Sequence, residues 1–197
     1  LVFGLAVLAG TYLMCRGGLP IVIIGVLSII SGVMYTAGKY SLAYIGLGDL
    51  FVLIFFGPVA VGGTYYVQSF ELNMAVILAG FAPGLISVAI LSVNNLRDIS
   101  SDASSGKHTL AVRFGARFAQ MEYATLLLLP LLLCAIIALL NPNRSGSLLA
   151  ALYVLPAIPL VRSVVTAGSG KQLNLALEKT SQLMFLFGIL FSLGWAI

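Results

Sequence analysis

The sequence predicts an all-α membrane protein, a bundle of transmembrane helices that forms one domain over residues 1–197. Hydrophobic residues make up 60% of the chain and charged residues only 8%, whereas about a quarter of the residues in a soluble domain are charged. The mean hydropathy is +1.11. The apolar residues are gathered into seven runs, and most runs approach the roughly 20 residues that a helix needs to cross a bilayer.

We predict one helix for each apolar run. The runs cover residues 1–15, 19–35, 50–67, 72–93, 118–140, 148–165 and 173–197. Proline and glycine occur inside the third, fourth and sixth runs, where neighbouring helices of a membrane bundle can satisfy the freed backbone groups. The first run is short, and we expect it to be the remainder of a helix that starts before residue 1.

The basic residues predict which connections face the cytoplasm. Eight of the ten lie in or beside the second, fourth and sixth connections, which the positive-inside rule places on the cytoplasmic side. A nucleic-acid partner would need a basic, solvated surface, and no such stretch exists. The eight bases are Lys39, Arg97, Lys107, Arg113, Arg117, Arg162, Lys171 and Lys179, and the other two are Arg16 and Arg144.

The polar stretch between the fourth and fifth runs carries the clearest chemical pattern. Asn94, Asp98 and Asp102 are spaced four residues apart, which places them on one face of a helix. Three oxygen-bearing side chains in a row suit a hard cation such as Mg²⁺. Lys107 and Arg113 follow, within reach of an anion that such a metal would hold. The pattern indicates a metal and a phosphate group; the alternative is a solvated, charged loop whose bases only anchor it at the membrane surface.

Four segments of the sequence resemble one family. The string NNLRDISSD, continued by GKHTLAVRFG, closely resembles the second aspartate-rich motif of the UbiA superfamily of intramembrane prenyltransferases. Within that superfamily it is most similar to the MenA type, which prenylates 1,4-dihydroxy-2-naphthoate on the way to menaquinone. The strings YIGLGD (44–49), GTYYVQ (63–68) and LNLALEKT (173–180) resemble the same branch.

The resemblance implies the UbiA-type bundle, which typically has nine helices and a first aspartate-rich motif after the second. In that bundle the second motif follows the sixth helix, whereas here it follows the fourth run. We therefore expect the first two helices and the first motif to be missing from the chain. A chain without them would hold only part of the metal site, so we expect it to have little or no activity alone.

The resemblance also implies a reaction and roles for particular residues. Asp98 and Asp102 would be catalytic and, with Asn94, would hold Mg²⁺ against the diphosphate of a polyprenyl donor. Lys107, Arg113 and Arg97 would bind the diphosphate. The naphthoate ring would then accept the polyprenyl group and lose its carboxylate, giving demethylmenaquinone. The expected location is the bacterial cytoplasmic (inner) membrane, with several crossings and the active site facing the cytoplasm.

Two further groups of polar residues are candidates for the acceptor side of the site. The connection 36–49 is polar and rich in glycine, and its Tyr40, Tyr44 and Asp49 would belong to a lid or contact the acceptor. Asp49 alternatively provides only a favourable charge at a helix N-terminus. In the last run, Asn174 and Glu178 begin a polar stripe, and polar residues in membrane spans usually face an interior cavity.

Three other functions compete with this interpretation. The same chemistry on 4-hydroxybenzoate or homogentisate is the nearest, although the NNxRD form of the motif argues against it. A transporter would place its acids along the membrane midplane, whereas these acids cluster beside connections. A phosphatidyltransferase would carry a DGxxAR-type run, which the sequence lacks.

Overall fold

The computed structural model describes residues 2–38, 41–168 and 170–197. In these ranges the chain is helical, with short connections and no strand. A π-helical turn (Phe55–Val59) joins the second and third helices, and a 3₁₀ segment (Pro142–Tyr153) precedes the eighth. The α-helices are α1 (Val2–Thr36), α2 (Gly48–Ile54), α3 (Ala60–Ser69), α4 (Met74–Arg97), α5 (Ile99–Ser104), α6 (Leu110–Phe114), α7 (Ala116–Leu140), α8 (Val154–Val165) and α9 (Gly170–Ala196).

The predicted all-α membrane architecture is confirmed, but the number of helical segments differs from the prediction. The described residues contain six segments that are long and apolar enough to cross a membrane, where seven were predicted. The difference arises at the first two runs, which are continuous in α1 instead of being separated by a loop. The six segments are Val7–Thr36, Gly48–Ser69, Met74–Arg97, Ala116–Leu140, Pro142–Val165 and Gly170–Ala196.

A kink at Gly18 nevertheless separates the two halves of α1. Gly18 has φ 63° and ψ −154°, outside the helical region, and Pro20 follows it. The Met14 methyl carbon lies 3.0 Å from the position that a Cβ would take on Gly25. In a straight helix these two residues would be about 16 Å apart along the axis. The halves therefore lie beside each other, as two separate runs would.

Helix α4 is the central element of the bundle and carries the aspartate motif at its C-terminal end. Half of its membrane segment is buried, compared with at most 28% of each other segment. Its Ile86 and Val93 share one apolar core with Tyr123 and Leu127 of α7. On its other side a Cβ on Gly80 would lie 2.8 Å from the Cα of Pro58, so glycine permits the backbones to touch.

The two basic residues of the sparsely charged connections are both used to cap helices. The Arg16 Nε donates to the Val67 carbonyl at the end of α3 (2.9 Å), and its guanidinium lies 5.2 Å from the centre of the Phe70 ring. Arg144 repeats the pattern at the end of α9, where it donates to the Trp195 carbonyl (2.6 Å) and lies 4.9 Å from the Trp195 ring centre. Helix C-termini carry unpaired carbonyls and partial negative charge, which explains why arginine is placed there.

Candidate active site

The candidate active site begins where α4 ends. Asp98 interrupts the helix with φ −100° and ψ 10°, and α5 starts at the next residue. Main-chain bonds of helical spacing nevertheless continue across the break, from the Asp98 N–H to the Asn94 carbonyl (3.1 Å) and from the Asp102 N–H to the Asp98 carbonyl (2.8 Å). Asn94, Asp98 and Asp102 therefore stay in successive turns, as their spacing predicts.

Arg97 connects three oxygen-bearing side chains of the site. Its Nε and one terminal nitrogen donate to the two carboxylate oxygens of Asp98 at 2.7 and 2.6 Å. That same terminal nitrogen donates to the Asn94 Oδ1 (2.8 Å), and the other donates to the Asn174 Oδ1 in α9 (2.8 Å). The Arg97 fork therefore joins the end of α4 to the start of α9, a contact that nothing in the sequence indicates.

Asp102 is paired with Lys107, another of the predicted phosphate ligands. The Lys107 Nζ lies 2.8 Å from the Asp102 Oδ1, and the carboxylate is buried whereas the lysine is about one third exposed. The Lys107 main-chain N–H also donates to the Asp102 carbonyl (2.9 Å), which closes the loop between α5 and α6. Lys107 is thereby held in one place while its ammonium group remains open to solvent on one side.

These contacts shift the ionisation of the charged groups that lie outside the membrane segments. The hydrogen bond from Arg97 holds the pKa of Asp98 below its ordinary value of 3.8. The hydrogen bond to Asp102 raises the pKa of Lys107 above its ordinary value of 10.5. Asp98 is therefore ionised and Lys107 protonated at neutral pH, so the site presents a fixed charge pattern.

The predicted lid segment lies directly over the motif. The His108 N–H donates to the Tyr44 carbonyl (2.7 Å), and Arg113 donates to the Ile45 carbonyl (2.7 Å). Gly46 has φ 81°, and a Cβ there would lie 2.7 Å from the His108 carbonyl oxygen, so only glycine fits this approach. The Lys107 Nζ lies 5.6 Å from the centre of the Tyr44 ring. Tyr44 is therefore beside a predicted phosphate ligand.

The remaining predicted residues are less closely connected to this cluster. Tyr40, together with Lys39, lies outside the described residues. Arg113 is occupied by the Ile45 carbonyl, so its predicted role in binding diphosphate stays a prediction. Glu178 is exposed and accepts a hydrogen bond from Gln182 (3.2 Å). Its role as a cavity-lining residue also stays a prediction.

Two acids, Asp49 and Glu122, lie within the membrane-length segments, and the sequence analysis missed the second. Asp49 has one carboxylate oxygen that is buried and has no hydrogen-bond partner among the described residues. The Glu122 carboxylate in α7 accepts a hydrogen bond from the Ser92 hydroxyl of α4 (3.0 Å). A lone acid inside an apolar run is itself a signal of function, and by that signal Glu122 was identifiable from the sequence.

The donor atoms of the cluster suit a Mg²⁺ ion that is shared with a phosphate. Two carboxylates and one amide oxygen lie in successive turns. The described residues contain no group of three or more His, Cys, Asp and Glu side chains that could hold a metal alone. Mg²⁺ is commonly bound by one or two carboxylates and completes its shell with water and substrate phosphates. The residues present therefore fit an ion that binds together with a diphosphate.

Comparisons with known proteins identify the same family that the aspartate motif resembles. A sequence profile described as the UbiA prenyltransferase family matches residues 1–189. Proteins named 1,4-dihydroxy-2-naphthoate octaprenyltransferase are 39% identical in Haemophilus influenzae over 178 residues (88% of this chain) and 42% identical in Escherichia coli over 175 residues (87%). The protein of that name in Mycobacterium tuberculosis is 35% identical over 185 residues (94%). The chain spans 56%, 56% and 62% of the lengths of these relatives.

Proposed function

Because the chain belongs to the UbiA prenyltransferase family, we propose that the full-length protein transfers a polyprenyl group to 1,4-dihydroxy-2-naphthoate. The donor is an allylic polyprenyl diphosphate, and the product is the quinol form of a demethylmenaquinone. The observation that carries the proposal is the cluster in which Asn94, Asp98 and Asp102 are each paired with Arg97 or Lys107. The acceptor follows from the names of the relatives that share 35–42% identity with the chain.

Asp98, Asp102 and Asn94 are the residues that would hold Mg²⁺. When bound, the ion supplies Lewis-acid neutralisation of the departing diphosphate. Asp98 is suited to this role because its pKa is depressed, so the carboxylate stays ionised at neutral pH. Asp102 is suited because its side chain is buried and its main chain is fixed by bonds to Lys107 and Ser105. A ligand held in one conformation loses little entropy on binding.

Lys107 and Arg97 would bind the diphosphate oxygens, with Arg113 as a third cation. The Lys107 ammonium and the Arg97 guanidinium are each partly exposed, at 32% and 27%, so a charged substrate can reach them from solvent. Charge-assisted hydrogen bonds from such groups are about twice as strong as neutral ones. They stabilise the diphosphate as it leaves with the electron pair of the carbon–oxygen bond, and an electron-rich ring then attacks the allylic carbon.

The acceptor would lie beside Tyr44, and Tyr40 and Asp49 are the other residues that we propose contact it. Tyr44 is held by the His108 N–H and packs beside Lys107, so an acceptor stacked there is next to the leaving group. Attack by the ring carbon forms the new carbon–carbon bond, and the ring regains aromaticity by losing its carboxylate as CO₂. Tyr44 would orient the ring. The Asp49 oxygen that has no partner in the described part of the chain would accept a hydrogen bond from an acceptor hydroxyl.

We place the site at the cytoplasmic face of a bacterial inner membrane. The six apolar segments describe a protein with several membrane crossings. Arg16 and Arg144, the exceptions to the charge asymmetry, are held as helix caps at the end of α3 and the end of α9. Their placement therefore has a structural cause, and the other bases point to a cytoplasmic motif.

An acceptor panel tests the proposal. The full-length protein in nanodiscs receives Mg²⁺, farnesyl diphosphate and, in separate reactions, 1,4-dihydroxy-2-naphthoate, 4-hydroxybenzoate or homogentisate, and the products are identified by mass. We expect a prenylated, decarboxylated naphthoquinol from the first acceptor only. A prenylated hydroxybenzoate or homogentisate would reassign the acceptor. Intact diphosphate with all three acceptors would contradict prenyl transfer itself.

A further inference from the structure

The predicted metal ligands and the predicted phosphate ligands are bonded to each other in this structure. Arg97 donates to Asn94 and to both oxygens of Asp98, and Lys107 donates to Asp102. The two carboxylates and the two cations give the cluster a net charge of zero. A Mg²⁺ ion binds its ligands at 2.0–2.1 Å, yet the Arg97 nitrogens lie only 2.6 and 2.7 Å from the Asp98 oxygens. Arg97 and a metal therefore compete for the same carboxylate.

Arg97 has one contact that a metal would leave undisturbed. Its other terminal nitrogen donates to the Asn174 Oδ1 of α9 at 2.8 Å. Its Cγ also lies 3.9 Å from the position that a Cβ would take on Gly170, so the stem of Arg97 runs beside the first turn of α9. Asn174 is a neutral acceptor outside the aspartate motif, and it can keep hold of the guanidinium while the Asp98 oxygens are given up.

We propose that Arg97 exchanges partners when metal and diphosphate bind, and that Asn174 is the positioning residue for this exchange. The inference rests on the metal–diphosphate site proposed above. As a divalent ion takes the oxygens of Asp98 and Asn94, Arg97 releases them and keeps its bond to Asn174. The N–H groups so freed, three of the five that a guanidinium carries, then face the diphosphate held on the metal.

The exchange predicts that metal and diphosphate bind with positive coupling. A metal that binds alone must displace Arg97 from the Asp98 carboxylate and leaves Arg97 without that partner. A diphosphate that binds Arg97 alone must break the same contact and leaves the Asp98 carboxylate without its cation. When both bind, the metal satisfies the carboxylates and the diphosphate satisfies the cations. Each ligand then raises the affinity for the other by the same factor.

The effect of removing Arg97 separates this account from a merely structural role. Arg97→Gln removes the competing positive charge, so a metal alone should bind about thirtyfold more tightly, the factor for a divalent ion about 4 Å from a unit charge under water-like screening. The same change removes a phosphate ligand, so diphosphate should bind roughly tenfold more weakly at saturating metal. A residue that only supports the shape of Asp98 would weaken both.

The measurement uses Mn²⁺, detected by electron paramagnetic resonance, with and without inorganic pyrophosphate, on the full-length protein in nanodiscs. Variants are Arg97→Gln, Arg97→Lys and Asn174→Leu, and Leu175→Ala is the matched control because Leu175 is exposed on the same turn of α9. Arg97→Lys keeps the charge, so it should leave the affinity for Mn²⁺ alone close to that of the wild type. Asn174→Leu should leave Mn²⁺ binding unchanged and weaken pyrophosphate binding several-fold, since it removes only the anchor.

The outcomes separate the exchange from the site on which it rests. Opposite changes in Mn²⁺ and pyrophosphate affinity for Arg97→Gln, with the wild-type pattern in Leu175→Ala, support the exchange. A loss of both affinities in Arg97→Gln, or no change in either, overturns it. Asn174→Leu with wild-type pyrophosphate affinity overturns the role of Asn174. A wild-type protein that binds neither Mn²⁺ nor pyrophosphate contradicts the proposed metal–diphosphate site itself.

Discussion

Replacing Asp102 by asparagine should separate the chemical role of this carboxylate from its structural role. Asn has nearly the same shape, and its amide oxygen can still accept the Lys107 hydrogen bond that Asp102 accepts at 2.8 Å. The lost ion pair has one partner that is 32% exposed, and pairs of that kind contribute about 1 kcal/mol or less. The main-chain bonds of residue 102 to Lys107 and Ser105 do not depend on the carboxylate. The bundle should therefore stay folded.

Turnover, by contrast, should fall at least about a hundredfold. Removing a residue that merely supports a metal ligand commonly costs 10–100-fold in metal affinity or activity, and Asp102 is proposed as a ligand itself. Replacing Asp98 or Asp102 by alanine should abolish turnover for the same reason. The loss should appear with saturating acceptor, because Asp102 is not among the residues proposed to contact the acceptor.

The assay combines product formation with thermal inactivation of the nanodisc-embedded protein. Glu71→Gln is the matched control, since Glu71 is an exposed acid in the α3–α4 connection, at the other end of α4. We expect wild-type turnover from the control and a midpoint within a few degrees of wild type for both variants. A folded Asp102→Asn protein with wild-type turnover would refute the reasoning, as would a loss of activity that only follows a loss of folded protein.

Three further changes test other parts of the account. Lys107→Gln should raise the KM for the diphosphate donor roughly tenfold because it removes a charge-assisted phosphate contact; an unchanged KM would refute that contact. The stabilisation that the Asp98 carboxylate and the Lys107 ammonium contribute should stay constant from about pH 5 to 9. The first is lost as pH falls through the depressed pKa of Asp98, and the second is lost as pH rises through the elevated pKa of Lys107. Thermal midpoints across pH, compared with Arg97→Gln, would reveal any loss near neutrality. Arg144→Ala should cost about 1–2 kcal/mol through the lost cap and the lost contact with the Trp195 ring, lowering the thermal midpoint without changing turnover per folded protein.

The parts of the fold that the sequence predicts are those set by local patterns. Apolar runs of membrane length identify the helices, and the four-residue spacing of Asn94, Asp98 and Asp102 predicts their common face, which the main-chain bonds preserve across the break at Asp98. The helix count was wrong at one place. Arg16, Gly17 and Gly18 indicate a loop by composition, yet the chain makes the turn with a single non-helical residue at Gly18.

The parts that the sequence does not predict depend on contacts between distant residues. Arg97 and Asn174 are separated by 77 positions, and their spacing carries no periodic signal. The sequence also did not predict which cation pairs with which acid. Helix α4 ends between Arg97 and Asp98, and this allows the side chain of Arg97 to reach both oxygens of the adjacent Asp98.

The most direct test of the central claim follows the carboxylate of the acceptor. The full-length protein in nanodiscs is given Mg²⁺, farnesyl diphosphate and 1,4-dihydroxy-2-naphthoate carrying a radioactive carboxyl carbon, and released CO₂ is counted against prenylated product. We predict one CO₂ for each prenylated product, with both lost in Asp98→Ala. A prenylated product that keeps its carboxyl group, or equal yields from wild type and Asp98→Ala, would contradict the account.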